Sequence, residues 1–517
     1  MTKAPCIRRR RLLTTGAAAS VLAASGLSLQ ASSRRGGLLR VGVSGANSSD
    51  NWDSRTHADT FMAMAGHGAV FDCLTEVAAN GELVGELAES WDASSDAVTW
   101  MFKLRRDVTF HNGKPFGADD VLASLDMHIA KGARSAAKPI VQNIAEMRKI
   151  SDSEVEFTLK AANADFPFLL SDYHLCMFPA GQTQEAMAKG IGTGLYKVES
   201  FDPGVRIRLS RVDSHYKDGK AGWFDQVEMI AMNDASARMN ALMTGQVDAV
   251  NQVDFKLEPR MRANPMINIF EVTGNQHLTF PMQINADPFT SLKLRQALKH
   301  AINRQDMVDT ILHGHGAVAN DHPIGPANQY HAADLEQTVY DPDRAARLLR
   351  EAGLAGMSIE LFAADAAFTG AIDAARLYQA SAKAAGLDIN LVQAPDDGYS
   401  SNVWLKKPWR ASCWSGRATE DWMFSTAYET AAPWNDTNWD NDRFQHLLLT
   451  ARAELDSDKR REMYTEMQRL LSREGGSVIP VYANFVDAQS TRLANSGTIG
   501  NVSGMDSGRL IERWWLA

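Results

Sequence analysis

Glu86-Leu87-Ala88-Glu89-Ser90-Trp91 leads, through Trp100-Met101-Phe102-Lys103-Leu104-Arg105, into Phe110-His111-Asn112-Gly113-Lys114-Pro115-Phe116. Trp100, Phe102 and Leu104 alternate with Thr99, Met101 and Lys103, the period of a half-buried strand. Val155, Phe157 and Leu159 repeat that alternation against Glu154, Glu156, Thr158 and Lys160. Between the two strands, Val121, Leu122, Leu125 and Ile129 make one helical face. Gly117 serves as the helix N-cap, with Asp119 and Asp120 in the electropositive first turn. The spacing predicts an α+β block over roughly residues 72–188.

On the N-terminal side of this block, Leu38–Val43 reads as a strand and Ser44–Ser54 as a polar loop. On the C-terminal side a second block opens at Gly190-Ile191-Gly192-Thr193-Gly194-Leu195-Tyr196. It continues through a strand at Val205–Leu209, another at Asp225–Met232 and a helix ending near Gly245-Gln246. A third block is rich in helices. Asn303 caps a helix over Arg304–His313, which Gly314 stops. Asp341-Pro342 starts another, since proline at the first helical position gives up only an orphan donor. Leu348 and Leu349 face inward from it, and Gly353 ends it. A further helix spans about Asp458–Glu474, and Val478–Val486 reads as strand. Helices and strands mix in every block, so the fold class is α/β with mixed sheets. No Pro- or Ser-rich linker separates compact domains, as expected if the chain crosses between lobes on short hinge strands.

The chain has 517 residues, too many for one ordinary core, with 45% hydrophobic and 22% charged residues. Its net charge of −9 and the lack of a basic stripe beyond the N-terminus argue against a nucleic-acid partner. Arg8-Arg9-Arg10-Arg11-Leu12-Leu13 followed by the apolar run Thr14 to Leu29 has the pattern of an export signal over residues 1–31, of twin-arginine type. That run is short of the about 20 residues an anchor needs. Of four cysteines, Cys6 lies before the apolar run. Cys73, Cys176 and Cys413 are then an odd number, so at most one bridge can form within the chain, and small buried side chains are the expected role.

Several segments together resemble, in order and spacing, the periplasmic solute-binding proteins of peptide-type ABC importers, the extracellular solute-binding family 5. They are the opening stretch, continued by Phe116-Gly117-Ala118-Asp119-Asp120-Val121, and Gly192-Thr193-Gly194-Leu195-Tyr196. Ala241-Leu242-Met243-Thr244-Gly245-Gln246-Val247-Asp248 is the third, and Leu294-Arg295-Gln296-Ala297-Leu298 with Ala301-Ile302-Asn303-Arg304 the fourth. Tyr340-Asp341-Pro342-Asp343-Arg344-Ala345 through Gly353-Leu354 is the fifth. The resemblance implies a two-lobed periplasmic binding protein fold with an extra α+β subdomain on the first lobe. Carried onto this chain, the first lobe takes residues 32–71, 189–280 and 481–517, the subdomain 72–188 and the second lobe 281–480. It also implies a monomeric, non-enzymatic periplasmic receptor for a peptide or amino-acid-derived ligand. Its partners would be membrane permease subunits driven by cytoplasmic ATPases, and no cofactor is expected. Hinge closure around the ligand is typical of such proteins.

Candidate cleft residues follow from composition and from that resemblance. Trp404, Trp409, Trp414, Trp422, Trp434 and Trp439 are half of the twelve tryptophans. Their amphipathic rings suit pocket walls, with about half expected to be structural. Cys413-Trp414-Ser415-Gly416-Arg417-Ala418-Thr419-Glu420-Asp421 occupies the place where peptide-binding relatives read Trp-Thr-Gly-Asp-x-x-Asp-Pro. In dipeptide receptors that first Asp meets the ligand's α-amino group. Arg417 stands there in this chain, which reverses the charge and suits a carboxylate instead. The departure favours an acidic group on the ligand, such as an opine or a carboxylate–metal chelate. An internal ion pair to Glu420 or Asp421 is the competing arrangement. The ligand-binding set is therefore Arg417, Trp414, Asp421 and Trp434, with Asn47 and Trp52 from the opposite lobe.

Other motifs carry less. His57 and His67 read as surface or loop groups. His313-Gly314-His315, even with His322 nearby, lacks a convincing third and fourth metal ligand. Gly190-x-Gly192-x-Gly194 leads into a strand, the reverse of the order a nucleotide loop requires, and reads as a tight crossing between domains. Neither Gly-x-Ser-x-Gly nor His-Glu-x-x-His occurs, which speaks against a secreted hydrolase. Presentation of ligand to a membrane sensor stays compatible with the sequence.

Overall fold

The computed structural model describes residues 33–430 and 432–517. The export signal expected over 1–31 lies outside the described residues. Strand β1 (Leu38–Val43) opens the fold. Next come β2 (Ala88–Ala93), β3 (Thr99–Leu104), helix α1 (Ala118–Ile129), β4 (Ile144–Ser151) and β5 (Glu154–Leu159). These four strands form an antiparallel sheet of order β2-β3-β5-β4. Alternate residues of β3 and β5 point inward, so Trp100, Phe102, Leu104, Val155, Phe157 and Leu159 build one core with Val121 and Leu125. The α1 N-terminus forms as expected: the Asp120 carboxylate accepts the Gly117 N–H at 2.9 Å. Its buried face is rotated from the expected one. Val121, Ser124, Leu125 and His128 point in, while Ile129 is 40% exposed.

The chain then supplies β6 (Tyr196–Asp202), β7 (Arg206–Arg211), β8 (Gln226–Ala231), α2 (Ala235–Met243), β9 (Ala249–Val250) and β10 (Ile267–Pro281). The second lobe brings α3 (Leu292–His300), α4 (Pro342–Glu351), β11 (Ser358–Ala363), α5 (Ala371–Ala382) and β12 (Asp388–Gln393). After these come β13 (Ser412–Trp414), α6 (Glu420–Ala427), α7 (Asp442–Ala453), α8 (Ser457–Glu474) and β14 (Ser477–Ser490). A nine-stranded mixed sheet runs β13-β10-β14-β9-β1-β8-β7-β6, with Gly316–Val318 also on β14. Strands β11 and β12 pair in parallel as a separate small sheet.

The lobes are joined by long strands, not the short ones expected. β10 has 15 residues and β14 has 14, paired antiparallel from Ile267↔Ser490 to Pro281↔Ser477. One end packs Ile267, Val486 and Ala488 into one core; the other packs Phe280, Val478 and Val481 into another. Because β14 is buried on both faces, its sequence shows no alternation and its full length is hidden.

Most other elements follow their local signals. The Asp341 side chain accepts the Arg344 N–H at 2.8 Å to start α4, and Gly353 ends it at φ +72°. The helix capped by Asn303 is shorter than expected. After Arg304–Asp306 it widens into a π-turn over Met307–Ile311, which buries both Met307 and Val308. The glycine run is a close crossing. A Cβ at Gly192 would lie 2.1 Å from the Val70 carbonyl oxygen, and one at Gly194 would lie 2.3 Å from that of Ala69.

His57 and His67 are not surface groups. His57 is buried with its Nε2 3.0 Å from the Asn51 carbonyl, and burial pushes its pKa down to about 4. His67 Nε2 accepts from Arg509 at 2.6 Å. His315 lies between Glu258 and Glu271, 2.9 Å from each, while His322 is buried beside Tyr482, so these histidines do not converge.

Candidate ligand-binding cleft

Arg417 sits on the loop between β13 and α6. Gly416 makes this loop possible, because a Cβ there would lie 1.8 Å from the Asn275 side chain. Asn275 and Asn328 donate to the Arg417 carbonyl at 3.2 and 3.3 Å and so fix the backbone. Its guanidinium donates only to the carbonyls of Ser415 (2.9 Å) and Gly416 (3.2 Å) and lies 5.8 Å from the Trp422 ring centre. Neither Glu420 nor Asp421 pairs with it. Burial lowers its pKa, while the nearby Asp172 carboxylate and Tyr173 work in the opposite direction. Among the described residues the Arg417 guanidinium has no ion-pair partner, and the Asp172 carboxylate is near enough to favour its charge.

Asp172 is held by His174, whose Nδ1 is 2.6 Å from Asp172 Oδ1 and whose Nε2 donates to the His57 carbonyl at 2.7 Å. Trp404, Trp414 and Trp434 form a triangle with ring centres 6.1–6.3 Å apart, Trp414 being three residues before Arg417. Trp414 is buried and donates from Nε1 to Asp436 at 3.2 Å. Trp434 is 48% exposed and presents the open face of the triangle. Trp409 and Trp439 are packed inside cores instead.

Three of the expected site residues lie elsewhere. Trp52 is 1% exposed and packs against Phe71 and Phe201 in the first-lobe core, so it walls no cleft. Asn47 is exposed, and its side chain accepts the Ser49 N–H at 2.9 Å. Its backbone rests against Gly204 in the β6–β7 turn, at the sheet edge opposite β13. Asp421 is buried and paired to Arg452 Nε at 2.9 Å, so it is spent inside the second lobe. Arg417, Trp414 and Trp434 remain together.

Sequence reasoning missed a strip of residues on β10. His277 pairs across the sheet with Trp414 on one side and Tyr482 on the other. It is fully buried, both ring nitrogens lack a hydrogen-bond partner, and burial with the Arg417 charge pushes its pKa down to about 3. Asn275 Oδ1 is also buried without a partner. Asn275 and His277 are two apart, which places both on one face, but the strand also carries Asn268, Glu271, Thr273, Gln276 and Thr279, so no local pattern singles them out.

The two lobes touch at the far side of the cleft. Arg460 on α8 pairs with Asp165 of the subdomain at 2.7 Å, and the Ala164 N–H donates to the Arg452 carbonyl at 2.7 Å. Trp422 packs on the subdomain core. Two buried groups have metal-like spacing, His67-Cys73-Glu86 and Asp72-Glu86-Glu512. Lys217 and Arg509 already contact Glu86 at 2.7 and 2.9 Å, and these cations disfavour a metal there. Among the described residues no helix is long and apolar enough to cross a membrane.

Residues 82–436 match the profile of bacterial extracellular solute-binding proteins, family 5, middle region. The chain is 27% identical over 440 residues to the dipeptide-binding protein of Escherichia coli, covering 77% of this chain and 80% of that one. The structure of the periplasmic binding protein DppA from Helicobacter pylori, in complex with the peptide STSA, superposes with a TM-score of 0.76 at 22% identity, over 94% and 99% of the two chains. AgaA from A. tumefaciens in complex with agropinic acid gives a TM-score of 0.76 at 21% identity, over 93% and 99%. With its profile matched over most of its length and its two-lobed α/β architecture, this chain belongs to the bacterial extracellular solute-binding proteins of family 5.

Proposed function

We propose that this chain is the periplasmic substrate-binding component of an ABC importer for small peptides. It closes its lobes around the ligand at the Arg417 cleft and delivers it, chemically unaltered, to the membrane permease. The lobes are taken as residues 32–71, 189–280 and 481–517 for the first and 281–480 for the second, with 72–188 as the subdomain. Residues 1–31 act as a twin-arginine export signal removed on the way to the periplasm, and the mature protein works as a monomer.

The observation that carries the ligand reading is the Arg417 guanidinium, without an ion-pair partner among the described residues and with the Asp172 carboxylate nearby, on the loop that follows Trp414 of the tryptophan triangle. A zwitterionic peptide complements that pair, with its carboxylate on Arg417 and its ammonium toward Asp172. The dipeptide-binding relative and the peptide-bound structure support this class. A second reading, an acidic opine or carboxylate chelate, rests on the same arginine and on the agropinic acid complex. Mass spectrometry of ligand released from the purified protein, followed by thermal-shift titration of that compound, tests the proposal. Recovery of peptides supports it. Recovery of an opine or a metal chelate selects the second reading, and turnover of the bound compound overturns both.

A further inference from the structure

Cys73 and Cys176 stand at the two ends of a crossing between the subdomain and the first lobe. The Met177 N–H donates to the Asp72 carbonyl at 3.0 Å. That bond brings the two cysteines side by side, and the Cys176 side chain acts on the Cys73 thiol at hydrogen-bonding range. A disulfide spans Cα separations of about 4.4–6.8 Å, which neighbouring side chains can meet. Both thiols are fully buried and both bond to the same turn. Cys73 Sγ donates to the Asp172 carbonyl at 3.4 Å, and Cys176 Sγ donates to the Tyr173 carbonyl at 3.2 Å. Cys413 packs on a different core from this pair, with its Sγ donating to the Ala367 carbonyl at 3.1 Å.

We propose that Cys73 and Cys176 are the two halves of a disulfide that staples the Asp172–His174 turn to the start of the subdomain. Two S–H bonds break and one S–S bond forms. The two electrons and two protons pass to a disulfide-type oxidant, whose own S–S bond breaks to give two thiols. The oxidant reacts before the core closes or during local opening, because the folded pair is sealed from solvent. Once closed, the dithiol is inert: burial, with the neighbouring Cys176, raises the Cys73 pKa well above the ordinary thiol range, so little thiolate forms. Oxidation also removes both S–H donors from the carbonyls of Asp172 and Tyr173. These residues lie near Arg417, so the redox state reaches that site; this last consequence rests on the Arg417 reading, whereas the bridge itself does not.

The test uses the full chain, unfolded under reducing conditions and refolded in a mixture of reduced and oxidised glutathione. Remaining thiols are alkylated in denaturant and mapped by peptide mass spectrometry. The expected result is a linked Cys73–Cys176 peptide pair with Cys6 and Cys413 alkylated. Reductant present through unfolding then lowers the melting midpoint by about 5 °C. A Cys413→Ser variant keeps that shift, and a Cys73→Ser/Cys176→Ser variant loses it. Alkylation of all four cysteines, a bridge to Cys413, or a shift that survives the double substitution overturns the proposal. Failure to bind peptide changes none of these readouts.

Discussion

The subdomain meets its two neighbours in different ways. Against the first lobe it buries a hub of charge. Lys217 lies 2.9 Å from Glu76, 2.7 Å from Glu86 and 3.4 Å from Glu512, and Arg509 lies 2.9 Å from Glu86 and 2.6 Å from Glu512. Arg513 adds pairs to Glu76 at 2.8 Å and Asp506 at 2.9 Å. Against the second lobe, among the described residues, it has the Asp165–Arg460 ion pair, the Ala164–Arg452 backbone bond and the Trp422 contact. A dense, largely buried network cannot open without stranding charges, while a single pair can separate and rehydrate. The first junction is therefore expected to hold the fold, and the second to open. Lys217→Met removes one of the three cations that hold Glu76, Glu86 and Glu512, leaves these carboxylates to Arg509 and Arg513 alone, and is expected to cost about 3–5 kcal/mol in urea unfolding. A loss below about 1 kcal/mol, the range of exposed pairs, would erase the distinction between the junctions.

The hinge strip lies between these junctions and carries the next largest effect. His277 stays neutral in the fold until about pH 3, whereas in the unfolded chain it takes a proton near 6.5. Its contribution is thus complete above pH 6.5 and is lost as pH falls from 6.5 toward 3, at up to about 1.4 kcal/mol per pH unit. Relative to a His277→Gln variant, the protein should lose about 2 kcal/mol between pH 6.5 and 4.5. Parallel pH dependences for the two proteins would show that His277 is not the group titrating.

Those two regions also mark how far the sequence could be read. Local signals sufficed where one face of an element meets water. The alternation of Trp100, Phe102 and Leu104, the cap at Asp341 and the start of α1 at Gly117 all appear as expected. They failed where burial is two-sided. β14 hides its length because its apolar run does not alternate, and the hinge looked short for that reason. Trp52 and Trp434 have the same chemistry in sequence, yet one is packed between Phe71 and Phe201 and the other is half exposed. Asp421 could not be separated from a ligand contact without knowing that Arg452, 31 residues later, pairs with it. The approach of Asp172 to Arg417 was invisible because no local pattern links the two residues.

At the cleft itself, Arg417→Ala is expected to weaken binding of the ligand identified by mass spectrometry at least about tenfold, or about 1.4 kcal/mol. The melting midpoint of the empty protein should barely change, because the guanidinium neutralises no carboxylate and donates only to two neighbouring carbonyls. Arg417→Lys keeps the charge but not the two-pronged donor geometry, so it should fall between the two. Calorimetry giving unaltered affinity for the alanine variant would remove Arg417 from the site.

The smallest effect belongs to the movable junction. Asp165→Asn removes the carboxylate that pairs with Arg460, leaving it the rings of Tyr330 and Tyr464 and a 3.3 Å hydrogen bond to the Tyr464 hydroxyl. Because the lobes can part, Arg460 escapes to water and its desolvation is relieved, a route not open to Glu86 when Lys217 is lost. The empty variant should therefore expand in small-angle scattering while its urea midpoint hardly moves. Ligand affinity should drop about two- to fivefold, as the closed state that ligand selects becomes a smaller share of the empty ensemble. If Asp165→Asn instead lowered the midpoint as far as Lys217→Met with no change in radius, the Asp165–Arg460 contact would be as permanent as the hub, and the opening motion would have to lie elsewhere.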